Sequence, residues 1–426
     1  MHVPKPTTLG LKKSFGYGDR LGLATPGHLA ASRKFDFAPI FAQQSIREMA
    51  RTHRTPEEVM SAAVQALQTA GYTEPWGADA DHLKTPEDAQ RTAAAGFSFF
   101  TIDPSEFVNN HADQMSASEI ESSVAALEND GTFTVAGRNA PYSGWKDGYL
   151  NQTFDVGGHS LKFTHESLFR AAVKYAHAVA YAARMGEAIA SASAGRPFEI
   201  EVSVDETDSP TSPLEHLFFG LELKRRKVPN VVSLAPRFIG EFEKGIDFKG
   251  DLDAFEKSLI QHVAIAKFCG PYKISIHSGS DKFSAYPVIG RVCGELLHVK
   301  TAGTSYLEAL RVLARTAPDT FAEIAAYCRG RFDTDRKSYH ISTTTTQIEA
   351  LRPFSKGAAD EALYLDEVVG RQLLHVTFGS VLTAGLDAKG RRFKDSMLEA
   401  LHRHPDLHVE VLDKHFTKHL SLLSKG

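Results

Sequence analysis

The sequence predicts an α/β protein built as a (β/α)8 TIM barrel, with an insertion after the fourth strand and a helical C-terminal extension. Three observations carry this expectation. About eight short strand-like runs recur up to residue 303, most of them are separated by helical stretches, and several helices open on the same capping pattern directly after such a run. A doubly wound open sheet is the competing topology, but no G-x-G-x-x-G follows the first run, which counts against its dinucleotide-binding version.

In chain order, the predicted strands are residues 20–26 (RLGLATP), 37–44 (FAPIFAQQ), 75–81 (PWGADAD), 97–103 (FSFFTID), 198–206 (FEIEVSVDE), 230–236 (NVVSLAP), 272–279 (YKISIHSG) and 296–303 (LLHVKTAG). The helix starts stand between them. "RTPEEVMSAAVQALQTAG" offers Thr55 as N-cap, Pro56 at the first helical position, Glu58 to close a capping box and Gly71 as the stop. The pattern returns with Thr85, Pro86 and Asp88, with Asp103, Pro104 and Glu106, and with Ser212, Pro213 and Glu215. Residues 108–163 are rich in Gly, Asn and aromatics and read as short strands and turns, an insertion suited to a lid. A long apolar-faced helix follows from "HESLFRAAVKYAHAVAYAARMGEAIASA", and residues 310–426 turn mainly helical. The whole chain, 1–426, reads as a single catalytic domain.

Composition bounds the function. The chain has 426 residues, 42% hydrophobic and 23% charged, with a formal charge of -4. That balance gives no bulk attraction to nucleic acid or anionic lipid, so neither partner is expected. The opening "MHVPKPTTLGLKKSFG" lacks an apolar signal core, no run is long enough to span a membrane, and the 3 cysteines have no CxxC spacing. These features predict a cytoplasmic protein, with an oligomer possible.

In a (β/α)8 barrel, chemistry collects where strands end and βα-loops begin. Reading only those positions yields Gln43, Gln44 and Arg47 after the second run, and Asp79, Asp81, His82 and Lys84 after the third. Thr101 and Asp103 follow the fourth run, Asp205 and Glu206 the fifth, and Arg237 the sixth. His277, Ser278, Asp281 and Lys282 follow the seventh, with His298 and Lys300 at the eighth. Plain structural roles compete at several of these. Asp103 and Thr85 serve equally as helix caps, and Asp79 as the acceptor of an Asx-turn. Adjacent Asp81 and His82 point to opposite faces of a regular strand, so both enter one site only if the strand has already ended.

His82, His277 and His298 lie at or near strand ends, unlike the other histidines, which read as core or surface residues. Several imidazoles with a carboxylate suit a divalent transition cation such as manganese, nickel, cobalt or zinc, rather than an all-oxygen magnesium site. Lys84, Arg237, Lys282 and Lys300, with Gln43, Gln44 and Arg47, suit an anionic, hydroxyl-rich small molecule such as a sugar acid.

The stretches "FGYGDRLGLATPGH", "FAQQSIREMARTHRTPEEVM", "WGADADHLKT" and "FTIDPS" together resemble the tagaturonate epimerase family, and the similarity runs from about Phe15 through the last strand. The resemblance implies a metal-dependent barrel enzyme interconverting D-tagaturonate and D-fructuronate by inversion at C4. It also implies Asp81 and Glu206 as the acid/base pair and His82, His277 and His298 as metal ligands. The C4 hydrogen of a 2-ketose is not adjacent to the carbonyl, so enolisation cannot invert C4. A retro-aldol cleavage of C3–C4, with metal stabilising the enediolate, can; direct proton transfer at C4 is the alternative. Other readings are a metal-dependent isomerase, epimerase or aldolase for a neutral ketohexose such as tagatose or fructose, and a non-catalytic sugar-acid sensor. A sensor normally carries an output module, and no basic helix-turn-helix segment is visible.

Overall fold

The structure, a computed structural model, describes residues 3–134, 144–301 and 303–425. Eight parallel strands close into a barrel in the order β1-β10-β9-β8-β7-β4-β3-β2, surrounded by helices. The barrel strands are β1 (Ser14–Gly18), β2 (Ala38–Ser45), β3 (Gly77–Leu83), β4 (Phe99–Ile102), β7 (Glu199–Val204), β8 (Val231–Pro236), β9 (Lys273–Ile276) and β10 (Leu297–Thr301); β5 (Phe154–Val156) and β6 (His159–Leu161) form a separate hairpin. Of the sequence-predicted strands, all but the first overlap their counterparts.

The first strand is "SFGYG", not residues 20–26. Two glycines in five residues hide it, because glycine is depleted in strands. One of them makes room for a neighbour: a Cβ on Gly16 would stand 2.8 Å from Oε1 of Gln43, which would have to shift. Residues 20–26 instead form a turn and a helix start. The Asp19 carboxylate accepts hydrogen bonds from the amides of Leu21, Gly22 and Ala24, and Thr25–Ser32 is helical with Pro26 in its first turn.

Three of the four expected helix starts form as expected. Pro56–Thr69 and Pro213–Arg225 carry complete capping boxes from Thr55/Glu58 and Ser212/Glu215, and Thr85 caps Pro86–Ala94. After Asp103 only a 3-10 turn forms, Ser105–Phe107. It ends where Asn109 caps a second short turn, Asn110–Gln114, so the chain leaves the barrel wall here.

The excursion from β4 to β7 contains a helix (Ala117–Asn129), the β5–β6 hairpin and a 29-residue helix, His165–Ser193. Residues 135–143 of the expected insertion lie outside the described residues. The hairpin sits on the barrel flank, where Phe154 meets Phe268 of helix Leu252–Cys269 edge-on at 6.2 Å.

The C-terminal helices divide between two cores. Tyr306, Leu310, Phe321, Phe332, Tyr364 and Phe378 build one of their own. The last helix, Pro405–Leu423, returns to the barrel, where Phe416 packs edge-on against Phe15 and Tyr17 of β1 at 6.1 and 5.1 Å. All three cysteines are free and buried. Among the described residues, no helix is long and apolar enough to cross a membrane.

The barrel floor is plugged by the N-terminal segment. The amide of Thr7 donates to the Trp76 carbonyl at 2.8 Å, Ser98 Oγ donates to Thr7 O at 3.1 Å, and the Gly10 amide donates to the Glu199 carboxylate. Access is therefore from the opposite end, where the strands finish.

Candidate active site

Parallel strands alternate their side chains, so one face of each strand fills the barrel. Here that filling is polar. Lys300 on β10 reaches Asp79 Oδ2 and Asp81 Oδ1 on β3 and Glu201 Oε1 on β7, each at 2.8 Å, and Thr101 Oγ1 on β4 at 2.5 Å. Three carboxylates and a hydroxyl thus surround its ammonium, and Lys300 forms the floor of the site rather than a free contact for a ligand. Burial disfavours its charge, but the three carboxylates outweigh that and hold the ammonium far above the usual range. Asp79, fully buried, is pushed up to about 7 by burial and by Asp81 and Glu201, against the pull of Lys300.

Above this floor two histidines face each other, with ring centroids 5.1 Å apart. His82 Nε2 stands 3.8 Å from Asp81 Oδ1, and its Nδ1 3.5 Å from Asp103 Oδ2. His277 Nε2 lies 2.6 Å from Glu201 Oε1 and its Nδ1 3.3 Å from Asp205 Oδ1. Asp81 and His82 share the site although β3 has not ended, because His82 takes a left-handed conformation, φ 54°, and the β3–β4 register shifts between Ala80 and Leu83. A bulge of this kind re-aims one side chain without ending the strand.

The electrostatics follow from an excess of carboxylate. Asp79, Asp81, Asp103, Glu201 and Asp205 converge here, against Lys300 and the half-exposed Lys84, 3.6 Å from Asp103. Burial opposes an imidazolium at His82, yet Asp81, Asp103 and Asp205 outweigh it and raise the ring to about 9. For His277 burial is likewise overcome, by Asp205 and Glu201, to about 10. In return the histidines and Lys300 hold Asp81, Asp205 and Glu201 well below the usual carboxylate range despite burial.

Such a pocket could hold a divalent cation. One donor atom each from Asp81, His82 and His277 lies within 4.8 Å of the others. Asp103 and Glu201 sit behind the two rings, the arrangement that orients metal-ligating histidines. His298 stands apart from this group. It shares the interior face of β10 with Lys300, but two residues earlier places it about 7 Å below Lys300, toward the N-terminal end of the barrel. There its Nδ1 lies 2.9 Å from Ser14 Oγ, and burial drives it down to about 3.

The other sequence-predicted residues separate into three groups. Gln43 and Ser278 line the deep pocket with Asp81, His82, His277 and Lys300. Arg47, Glu206 and Arg237 line the adjoining cavity of about 350 Å³ at the mouth, where Arg47 Nη2 meets Glu206 Oε1 at 3.1 Å. Glu206 therefore faces the rim, while its neighbour Asp205, just past the end of β7, reaches His277 Nδ1 at 3.3 Å. Two predicted contacts serve the scaffold: Gln44 donates to Glu48 at 2.9 Å, and Lys282 donates to the carbonyls of Glu243, Ile246 and Ser280 at 2.6–2.8 Å. Asp103 is both turn and site residue, since Oδ1 accepts from the Ser105 amide at 3.0 Å in an Asx-turn while Oδ2 faces His82.

Sequence reasoning overlooked the far wall of the cavity: Lys244 in the loop after β8, and Ser338, Tyr339 and His340 from the C-terminal helices. The available signal was loop length, since residues 237–251 exceed the usual two to six residues of a βα-loop, roughly twofold or more. None of the described residues of 108–163 lines the cavity, whose outer wall comes from residues 236–244 and 338–340.

Comparison with known proteins agrees with this architecture. The model of the tagaturonate epimerase family matches residues 1–423. A tagaturonate/fructuronate epimerase of Thermotoga maritima is 42% identical over 421 residues, 98% of this chain and 82% of its own length. Solved structures of the fructuronate-tagaturonate epimerase of Cohnella laeviribosi, native and with glycerol, superpose with a TM-score of 0.89 at 39% identity, over 98% of this chain and 83% of theirs. With the match spanning barrel and C-terminal helices alike, the chain belongs to the tagaturonate epimerase family.

Proposed function

We propose that this protein is an isomerase that inverts C4 of a ketohexuronate, interconverting D-tagaturonate and D-fructuronate. The observation that carries the reading is the pair of carboxylate-backed histidines, His82 and His277, meeting across the barrel in a chain of this family. Asp81, His82 and His277 would hold a divalent transition cation, manganese, nickel, cobalt or zinc. When bound, that cation supplies Lewis-acid stabilisation of negative charge on the substrate's oxygens.

The chain's own groups do the rest. Glu201 holds the far nitrogen of His277 and Asp103 faces that of His82, so the near nitrogens stay aimed into the site. Lys300 holds Asp79, Asp81 and Glu201 in place and keeps water from taking their oxygens. Of the acid/base pair that the resemblance implies, Asp81 serves the cation instead and Asp205, beside His277, takes the place of Glu206: it removes the C4 hydroxyl proton as C3–C4 breaks and returns it after readdition. The three-carbon aldehyde must turn between those steps, and the cavity beside His277 gives it room. Gln43 and Ser278 are placed to bind substrate hydroxyls.

The test is direct. Purified protein, supplied in turn with each cation, is incubated with D-tagaturonate and followed by NMR. Accumulation of D-fructuronate is expected. An aldose, three-carbon fragments alone, or unchanged substrate would overturn the reading.

A further inference from the structure

Nearly every cation around the site is already paired with a carboxylate. Arg47 meets Glu206 at 3.1 Å, Lys84 meets Glu106 at 3.2 Å, Lys249 meets Glu243 at 3.1 Å, and Lys300 has three partners. Arg237 and Lys244 differ. Among the described residues neither forms an ion pair, yet both are half-buried and both line the mouth cavity. Lys244 also lines the deep pocket with Gln43, Asp81, His82 and His277. Its Nζ donates to Ser278 Oγ at 2.7 Å, one residue from His277.

The loop that presents Lys244 is gripped on both sides. Lys282, fully buried, donates to the carbonyls of Glu243 and Ile246 at 2.8 and 2.6 Å. Arg371 Nε donates to Gly245 O at 2.8 Å, and Gln372 Nε2 to the Glu243 carboxylate at 2.7 Å. Buried side chains thus fix the backbone before and after Lys244, which leaves its ammonium partly desolvated with only a hydroxyl as partner. A cation so held is preorganised for an anion, because the cost of removing it from water is already met in the fold.

We propose that Lys244 and Arg237 form a clamp for the C6 carboxylate of the substrate, and that this clamp sets selectivity for a sugar acid over the neutral sugar of the same skeleton. The proposal rests on the ketohexuronate reading above and adds an orientation to it. The acid end sits at the mouth between ammonium and guanidinium, and the C1–C4 end reaches Asp81 and His277. A guanidinium beside an ammonium suits a carboxylate well, since each of its oxygens can accept a charge-assisted hydrogen bond.

The test uses binding rather than turnover. D-galactonate and galactitol share a carbon skeleton, have no ketone to react, and differ in the carboxylate. Calorimetry on the metal-loaded protein should show galactonate binding at least about tenfold more tightly than galactitol. Lys244→Met and Arg237→Met should each cut that preference to about threefold or less with galactitol affinity little changed, and Lys244→Arg should restore most of it. A wild-type protein that does not prefer the acid, or variants that lose both ligands equally, would overturn the clamp. Conversion of tagaturonate by the wild type is measured separately, so an epimerase without a clamp and a clamp without epimerase activity give different results.

Discussion

Two clusters in this molecule contain the same side chains and behave in opposite ways. Asp81, His82 and His277 meet at the mouth of the barrel; Asp281, His415 and His419 meet where the last helix packs on the loop after β9. Both are buried, and both bring one donor atom from each residue within 4.8 Å. In the second cluster both ring nitrogens of His419 are already used. His419 Nδ1 donates to His415 O at 2.8 Å and its Nε2 accepts the Asp281 amide at 3.0 Å, while Asp281 pairs with Arg371 at 2.6 Å. Burial drives His415 to about 4 and His419 to about 3, so both stay neutral. In the first cluster carboxylates surround the rings and raise them. Residue types alone do not distinguish the two clusters; the charge that surrounds the rings does.

The comparison breaks most sharply under histidine removal. His82→Ala and His277→Ala should each abolish bound cation and lower turnover by roughly 10³-fold or more, since both binding and charge stabilisation go. His415→Ala should leave metal content at the wild-type level by elemental analysis. Equal metal loss from both clusters would erase the distinction.

Arg371→Met should be the largest stability effect. It leaves Asp281 buried without its cation, 5% exposed in the intact pair, and such a loss costs about 3–5 kcal/mol. Denaturant unfolding measures it, and metal content in the folded fraction should not change.

A smaller effect is expected within the first cluster. Asp205→Asn should retain metal while turnover falls by roughly 10²-fold, and Glu206→Gln, at the rim, by less than about tenfold. If Glu206→Gln is the more damaging change, the proton carrier is assigned to the wrong neighbour.

The mildest separation is in pH. His82 and His277 are raised above the unfolded value of about 6.5, so the stability they contribute to metal-free protein is complete below that pH and lost as pH rises through about 9 to 10. His415 and His419 are lowered, so theirs is present above about 6.5 and lost as pH falls toward 4 and 3. Melting temperatures of chelator-treated protein across this range should show the alkaline loss shrink in His82→Ala and the acid loss shrink in His415→Ala. Because the first pair must release protons to bind metal, saturation with metal should also flatten the alkaline loss.

What the sequence determined by itself was local and periodic. Capping boxes at Thr55 and Ser212 and alternating runs such as 198–206 specify helices and strands from neighbours within a few residues, and the strand ends specify which face carries chemistry. That sufficed for the barrel and for His82, His277, Asp81 and Ser278 on one face. Tertiary structure alone decided depth, direction and pairing. The left-handed turn at His82, the pairing of His298 with Ser14, and the placing of Asp205 beside His277 while Glu206 pairs with Arg47 all depend on strands and loops that distant chain segments bring together. The occupation of Lys300 by three carboxylates and the freedom of Lys244 have the same origin, because a charge is bound or available according to what the fold brings within about 3 Å of it.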